Sequence, residues 1–168
     1  MATNILLLSA HPDITNSKAN AALLAAVSDL ENVKIVDIYK APFTAENYSA
    51  DLEAADVVVF QFPFWWGGPP AKMKEWLDTF LMGFQEAPGV SGKKVLLATT
   101  VGSPESAYRA GGYDRFTIDE YLRPYEGAFA YAQMEYLTPF AVYGVSLPDG
   151  EAAIAAGAKA YRALLQSL

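Results

Sequence analysis

The chain has no cysteine in its 168 residues. That excludes a disulfide frame, a thiol nucleophile and any metal site built on thiolates. It has a single histidine, His11, so a multi-histidine metal site is excluded too, and no metal is expected. Basic residues are scarce: 12 Lys and Arg against 19 Asp and Glu leave a net charge of −7. Nucleic acid and anionic membranes both require basic surface, so neither is expected as a main partner. No apolar run is long enough to span a bilayer, and no membrane insertion is expected. The apolar run in MATNILLLSAH is too short for a signal peptide and lacks a basic flank, which predicts a cytoplasmic protein. Internal repeats, low-complexity tracts and linkers are also missing. With 52% hydrophobic residues, residues 1–168 are expected to form one globular domain.

What is present alternates strand and helix. Strands are predicted at Asn4–Ser9, Val33–Ile38, Asp56–Phe62, Lys93–Thr100 and Leu137–Tyr143. Helices are predicted at Ser17–Leu30, Pro70–Phe84, Thr117–Met134 and Gly150–Leu168, with Pro124 kinking or restarting the third and a short or irregular helix at Glu46–Glu53. The Asp56–Phe62 run is β-branched and aromatic, as in a strand buried on both faces. Met73, Trp76, Leu77, Phe80, Leu81 and Phe84 recur at helical spacing after Pro69-Pro70. Five strands alternating with helices imply an α/β three-layer sandwich around a parallel sheet. The flavodoxin-like order 2-1-3-4-5 fits this size, and its switch point draws ligand residues from the loops after strands one, three and four.

Those loops are Ala10–Ser17, Pro63–Gly68 and Val101–Gly112. The first joins a strand to a helix start rich in Ser, Thr and Asn, a natural phosphate site. His11 and Lys18 can add cationic donors there; Ser17 and Asn20 can add neutral ones. Simple helix capping by Asn16 or Ser17 explains the same residues equally well. Neither G-x-G-x-x-G nor G-x-x-x-x-G-K-[ST] occurs, so dinucleotide and triphosphate fingerprints are missing. The second loop carries Phe64-Trp65-Trp66-Gly67, which suits a planar ring but also suits local core. The third is long for an α/β connection, and long loops tend to be functional. In it Gly102 would admit a ring closely, Tyr108 offers a hydroxyl and Arg109 a charge. For Arg109 itself a solvated surface role is the simpler reading.

With these motifs read, the chain resembles the NAD(P)H:quinone oxidoreductase family of flavodoxin-like flavoproteins, and within it the short bacterial members. These include general-stress quinone reductases and the ancillary subunit of the glutathione-gated potassium efflux system. The resemblance spans nearly the full length. It is carried by LLLSAHPD…SKANAAL at Leu6–Leu23, QFPFWWGGPPAKMKEWLD at Gln61–Asp78 and TPF at Thr138–Phe140. It implies that His11, Ser17, Lys18, Ala19 and Asn20 hold a flavin phosphate, and that Pro63, Phe64, Trp65, Trp66 and Gly67 wrap the isoalloxazine ring. Thr100, Val101, Gly102 and Ser103 fall on the family's Thr-Thr-Gly-Gly loop, which this chain keeps in part. Tyr108 falls on the family's catalytic Tyr. The family's His falls near Tyr113 or Asp114, where there is none.

The implied function is flavin-dependent oxidoreduction. NAD(P)H gives a hydride, two electrons at a time in ping-pong order, and a quinone or similar acceptor takes it. FMN is the implied cofactor and FAD the alternative. Relatives are homodimers, and the aromatics Tyr121, Tyr125, Phe129, Tyr131 and Tyr136 are expected to serve such an interface. A flavin-binding ancillary subunit of a potassium efflux transporter is the second reading. A flavodoxin-type one-electron carrier is disfavoured because the T-x-T-G-x-T phosphate loop is missing. A flavin-free α/β domain with structural aromatics stays open.

Overall fold

The computed structural model of the chain describes residues 3–40, 42, 44–81 and 89–168. In chain order the elements are β1 (Ile5–Ser9), α1 (Lys18–Val27), β2 (Val33–Asp37), α2 (Ala45–Ala54), β3 (Val57–Pro63), α3 (Ala71–Leu81), β4 (Lys94–Thr100), α4 (Ile118–Tyr131), β5 (Glu135–Tyr136), β6 (Phe140–Val142) and α5 (Gly150–Ser167). The strands form one parallel sheet in the order β2-β1-β3-β4-β5, with β6 also pairing to β4. This is the flavodoxin-like order expected from the sequence, with one difference. The fifth strand is two short pieces, one on each side of Leu137-Thr138-Pro139. Proline has no N–H for the ladder, so pairing with β4 breaks there and resumes at Phe140.

Alternation along β1, β3 and β4 sends side chains to opposite faces. Leu6, Leu8, Val58, Phe60, Phe62 and Leu97 join a core under α2, α3 and α4. Ile5, Leu7, Val57, Val59, Leu96 and Ala98 join a second core under α1 and α5. The first core is aromatic: Trp76 stacks on Phe80 at 4.5 Å between centroids and meets Phe60 edge-on at 5.2 Å. Helix α3 buries Met73, Trp76, Leu77 and Phe80, the stripe that its spacing predicts. Phe84 lies outside the described residues.

The helix starts carry their own signals. Ser17 caps α1 by accepting from the Asn20 N–H. Thr117 and Glu120 form a reciprocal capping box at α4, which satisfies two otherwise unpaired donors. Helix α4 runs through Pro124 as one element and ends at Tyr131, short of the expected Met134. Helix α1 ends at Val27, short of Leu30. The expected interface aromatics divide sharply: Phe129 is fully buried, Tyr121, Tyr125 and Tyr136 are half-buried, and Tyr131 alone is exposed. Phe129 is core because it stacks on Phe60 at 5.6 Å.

Candidate functional site

The carboxyl ends of β1, β3 and β4 open onto a cleft of about 330 Å³ lined by residues of the three predicted loops. That volume lies within the usual range for small-molecule sites. From the first loop and α1 come His11, Ser17, Lys18, Ala19 and Asn20; from the second, Pro63, Phe64 and Trp65; from the third, Thr100 and Gly102. Val145, Ser146 and Ile154 complete the lining, and sequence reasoning missed them. They arrive because the β6–α5 connection is laced to the third loop. Val101 N–H donates to Val142 O at 2.8 Å, Val145 N–H to Val101 O at 3.1 Å and Gly144 N–H to Ser103 O at 2.8 Å. The positive φ of Gly144 and the Gly150 helix start were the available signals. A Cβ on Gly102 would stand 3.1 Å from Ser146 Oγ, so Ser146 fills the space that this glycine leaves.

One wall is polar and oriented. Asp13 N–H donates to His11 Nδ1 at 3.0 Å. Neutral His11 therefore carries its proton on Nε2, which remains a donor. Burial lowers the His11 pKa, against the opposing pull of Asp13, so the ring is neutral at pH 7. The first-turn N–H groups of Lys18 and Ala19 have no carbonyl four residues back within the helix, and the helix dipole favours an anion there. Lys18 Nζ meets Glu151 at 3.2 Å in an exposed ion pair, a weak tie that an anion can compete with. Deeper in, Asn20, Gln61 and Thr100 are buried and hydrogen-bonded to one another.

The other wall is aromatic. Trp65 and Gly68 exchange backbone hydrogen bonds at 2.8 and 3.1 Å, and the residues between them, Trp66 and Gly67, have φ of 51° and 89°. Two positive φ values between paired residues are the signature of a type I′ hairpin turn. Trp66 at the tip is fully exposed, and Trp65 stands edge-on to the His11 ring at 5.5 Å. Trp66, Gly67, Val101 and Ser103 do not line the cleft. Trp66 and Gly67 form its hairpin rim, Val101 points into the core, and Ser103 holds the β6–α5 connection through its carbonyl.

Tyr108 lies behind this wall. It is 9% exposed and packs on Phe64, with centroids 5.7 Å apart. Burial, chiefly, raises its pKa, with Asp114 adding to the effect and a hydrogen bond from Ser103 opposing it. The long loop around it is tightly built: Asp114 N–H donates to Ala107 O at 3.1 Å and Tyr121 OH to Asp114 O at 2.9 Å. A Cβ on Gly112 would sit 2.2 Å from Ala107 O, so only glycine fits that crossing. Arg109 is exposed on this loop. Among the described residues, no group of three His, Asp or Glu side chains is placed to hold a metal ion, and no helix is long and apolar enough to cross a membrane.

The fold is shared with known proteins. The model of one family, described as having a flavodoxin-like fold, matches residues 3–165. The glutathione-regulated potassium-efflux system ancillary protein KefG of Yersinia enterocolitica is 38% identical over 97% of this chain and 92% of its own length. The uncharacterized NAD(P)H oxidoreductase YdeQ of Bacillus subtilis is 36% identical over 82% of this chain and 74% of its own. The crystal structure of general stress protein 14 from Treponema denticola, in complex with FMN, superposes with a TM-score of 0.86 at 28% identity, covering 98% of each chain.

Proposed function

We infer the function from the premise that this chain belongs to the flavodoxin-like family whose model spans residues 3–165. It is an FMN-dependent NAD(P)H oxidoreductase of the quinone-reductase type. The observation that carries this reading is the single cleft in which an anion-ready helix start, buried polar groups and an aromatic wall meet. The similarity to an NAD(P)H oxidoreductase at 36% identity and to an FMN complex at 28% supports it.

FMN, when bound, supplies the chemistry of accepting and returning a hydride. The residues present fit it. His11 Nε2–H, Ser17 and the N–H groups of Lys18 and Ala19 would hold the phosphate, with Lys18 adding charge. Phe64 and Trp65, with the Trp66-Gly67 rim, would shelter the ring from water. Donors of the Thr100–Ser103 segment would favour negative charge at the ring edge they face. Tyr108 stands behind Phe64 and does not line the cleft, so donation of its hydroxyl proton to the acceptor oxygen would require Phe64 to move aside; its raised pKa keeps that proton in place at neutral pH. Without a histidine in this loop, that assistance rests on Tyr108.

The acceptor is a small quinone-like molecule. A homodimer, with the exposed Tyr131 and its half-buried neighbours at the boundary, would close the open side of the site. The reductant class suits the cytoplasm, where reduced pyridine nucleotides are held. The test is reconstitution with FMN, desalting and visible spectroscopy. Retained flavin should be bleached by NAD(P)H and restored by a quinone, and Tyr108→Phe should slow quinone turnover about tenfold or more. A colourless protein would remove the flavin reading, and unchanged turnover in Tyr108→Phe would remove Tyr108 from the mechanism.

A second reading is favoured by the 38% identity to a potassium-efflux ancillary protein. In it the flavin-loaded chain regulates a transporter. Co-purification of a membrane transporter subunit with the tagged chain would support it; retention of full reductase activity by a chain that never co-purifies would count against it.

A further inference from the structure

Among the described residues the buried polar side chains are Ser9, Asn20, Gln61, Thr99 and Thr100. All lie at the carboxyl ends of β1, β3 and β4 or in the first turn of α1. Ser9 pairs with Gln61 and Gln61 with Ala98. Thr100 is two residues beyond Ala98, so Ser9, Gln61 and Thr100 share the sheet face that α1 covers. Mispaired groups this deep are costly; here, among the described residues, Ser9 Oγ and Gln61 Oε1 have no protein partner, while Gln61 Nε2, Asn20 and Thr100 form a connected chain.

Its orientation can be followed bond by bond. Gln61 Nε2 donates to the backbone carbonyl of Asn20 at 2.9 Å. A carbonyl only accepts, so this fixes which end of Gln61 is its NH2 group. The same Nε2 stands 3.4 Å from Asn20 Oδ1. The carbonyl end of Asn20 therefore faces Gln61, and its NH2 end faces Thr100. Asn20 Nδ2 donates to Thr100 Oγ1 at 2.8 Å. A hydroxyl that receives a hydrogen bond turns its own proton elsewhere. Thr100 lines the cleft, and among the described residues no protein group accepts that proton.

We propose that Asn20 is a positioning residue: through this relay from Gln61 it turns the Thr100 hydroxyl proton into the cleft, so that a ligand is held best when it places a hydrogen-bond acceptor against that proton. A carbonyl or phosphoryl oxygen or an imine nitrogen takes that proton, whereas an N–H could meet only the second lone pair of Oγ1 and would leave the proton unpaired. Family resemblance puts Asn20 directly on a phosphate. Here the residue is 1% exposed and both ends of its amide face protein groups. The proposal rests on the FMN reading for the identity of the ligand.

The test is FMN affinity, measured by fluorescence titration of wild type, Thr100→Ser, Thr100→Val, Asn20→Ala and the Asn20→Ala/Thr100→Val pair. Thr100→Ser keeps the donor and should bind within about twofold of wild type, while Thr100→Val and Asn20→Ala should each weaken binding roughly three- to tenfold. The double variant should be no weaker than the worse single one, because both changes remove the same donor. Losses that multiply would mean that Asn20 touches FMN itself, and would overturn the relay. So would wild-type affinity in Thr100→Val, or equal losses in Thr100→Ser and Thr100→Val. If Asn20→Ala does not fold, Asn20→Asp probes the same coupling, since a carboxylate accepts only and draws the Thr100 proton to itself. It should match Thr100→Val and add nothing to it; an added loss overturns the proposal. Failure of wild type to bind FMN would sink the flavin reading before any variant is compared, and the relay's ligand with it.

Discussion

Trp66 and Trp76 are ten residues apart and occupy opposite environments. Trp76 is 1% exposed, stacked on Phe80 and met edge-on by Tyr48 and Phe60. Trp66 is fully exposed at the tip of a two-residue turn, with φ of 51°. Left-handed backbone favours Gly and Asn, and a bulky residue there costs about 1–2 kcal/mol. At Trp76 the side chain contributes to the fold by its burial. At Trp66 it contributes no burial and adds backbone strain. Uncompensated strain of this kind collects at ligand-facing positions. The comparison therefore separates a tryptophan that holds the domain together from one that adds strain and no burial to it.

Substitution should separate them further. The largest effect belongs to Trp76→Ala, expected to cost about 3–5 kcal/mol through lost burial and the cavity left behind. In a domain of this size that lowers the Tm by roughly 6 °C or more, readable by thermal or urea unfolding. A loss under about 1 kcal/mol would mean that the aromatic core collapses around the gap. Trp66→Gly should do the opposite, gaining on the order of 1 kcal/mol by relieving the positive φ. The same variant should raise the KM for a flat quinone up to about tenfold if the indole stacks on the acceptor. Higher stability with an unchanged KM would make the tip incidental to function.

The two tryptophans also mark how far the sequence could be read. Trp76 falls in a run with i, i+3, i+4 and i+7 apolar spacing, a signal that survives without any structure. The division of Leu6 and Leu8 from Ile5 and Leu7 between two cores was not legible in this way, because the run is apolar throughout and only the strand's pleat sorts it. The three site loops were legible because they follow the carboxyl ends of strands, where this topology gathers ligands. Trp66 was legible only as an aromatic, since its conformation is set by the Trp65–Gly68 pairing, a contact without periodicity. Val145 and Ser146 were missed because bonds between loops far apart in the chain, such as Val145 N–H to Val101 O, leave no local pattern. The buried relay was missed for the opposite reason: Asn20 and Gln61 look like surface-compatible polar residues until the strands place them together. The break in the fifth strand was visible as Pro139, but a proline does not say whether pairing resumes beyond it.

The smallest effect concerns what ties the hairpin to the domain, and pH can read it. His11 stands edge-on to Trp65, and its pKa lies below the ordinary 6.5, mainly because burial disfavours the charged ring. Above pH 6.5 the ring is neutral whether the chain is folded or unfolded, and the group adds no pH dependence. As pH falls below 6.5 the unfolded chain takes up a proton first, so stability is lost between that value and the lower folded pKa. Carboxylates with lowered pKa, such as Asp13 and Asp29, act only at more acidic pH. His11 is the one histidine in the chain and the side chain whose ordinary pKa falls between pH 7 and about pH 5, so the main part of a Tm slope there is expected from it. His11→Gln should flatten that slope and leave Trp76 fluorescence unchanged, while Trp65 emission should lose its pH dependence over the same interval. A slope that persists in His11→Gln would place the titrating group elsewhere and detach the hairpin from it.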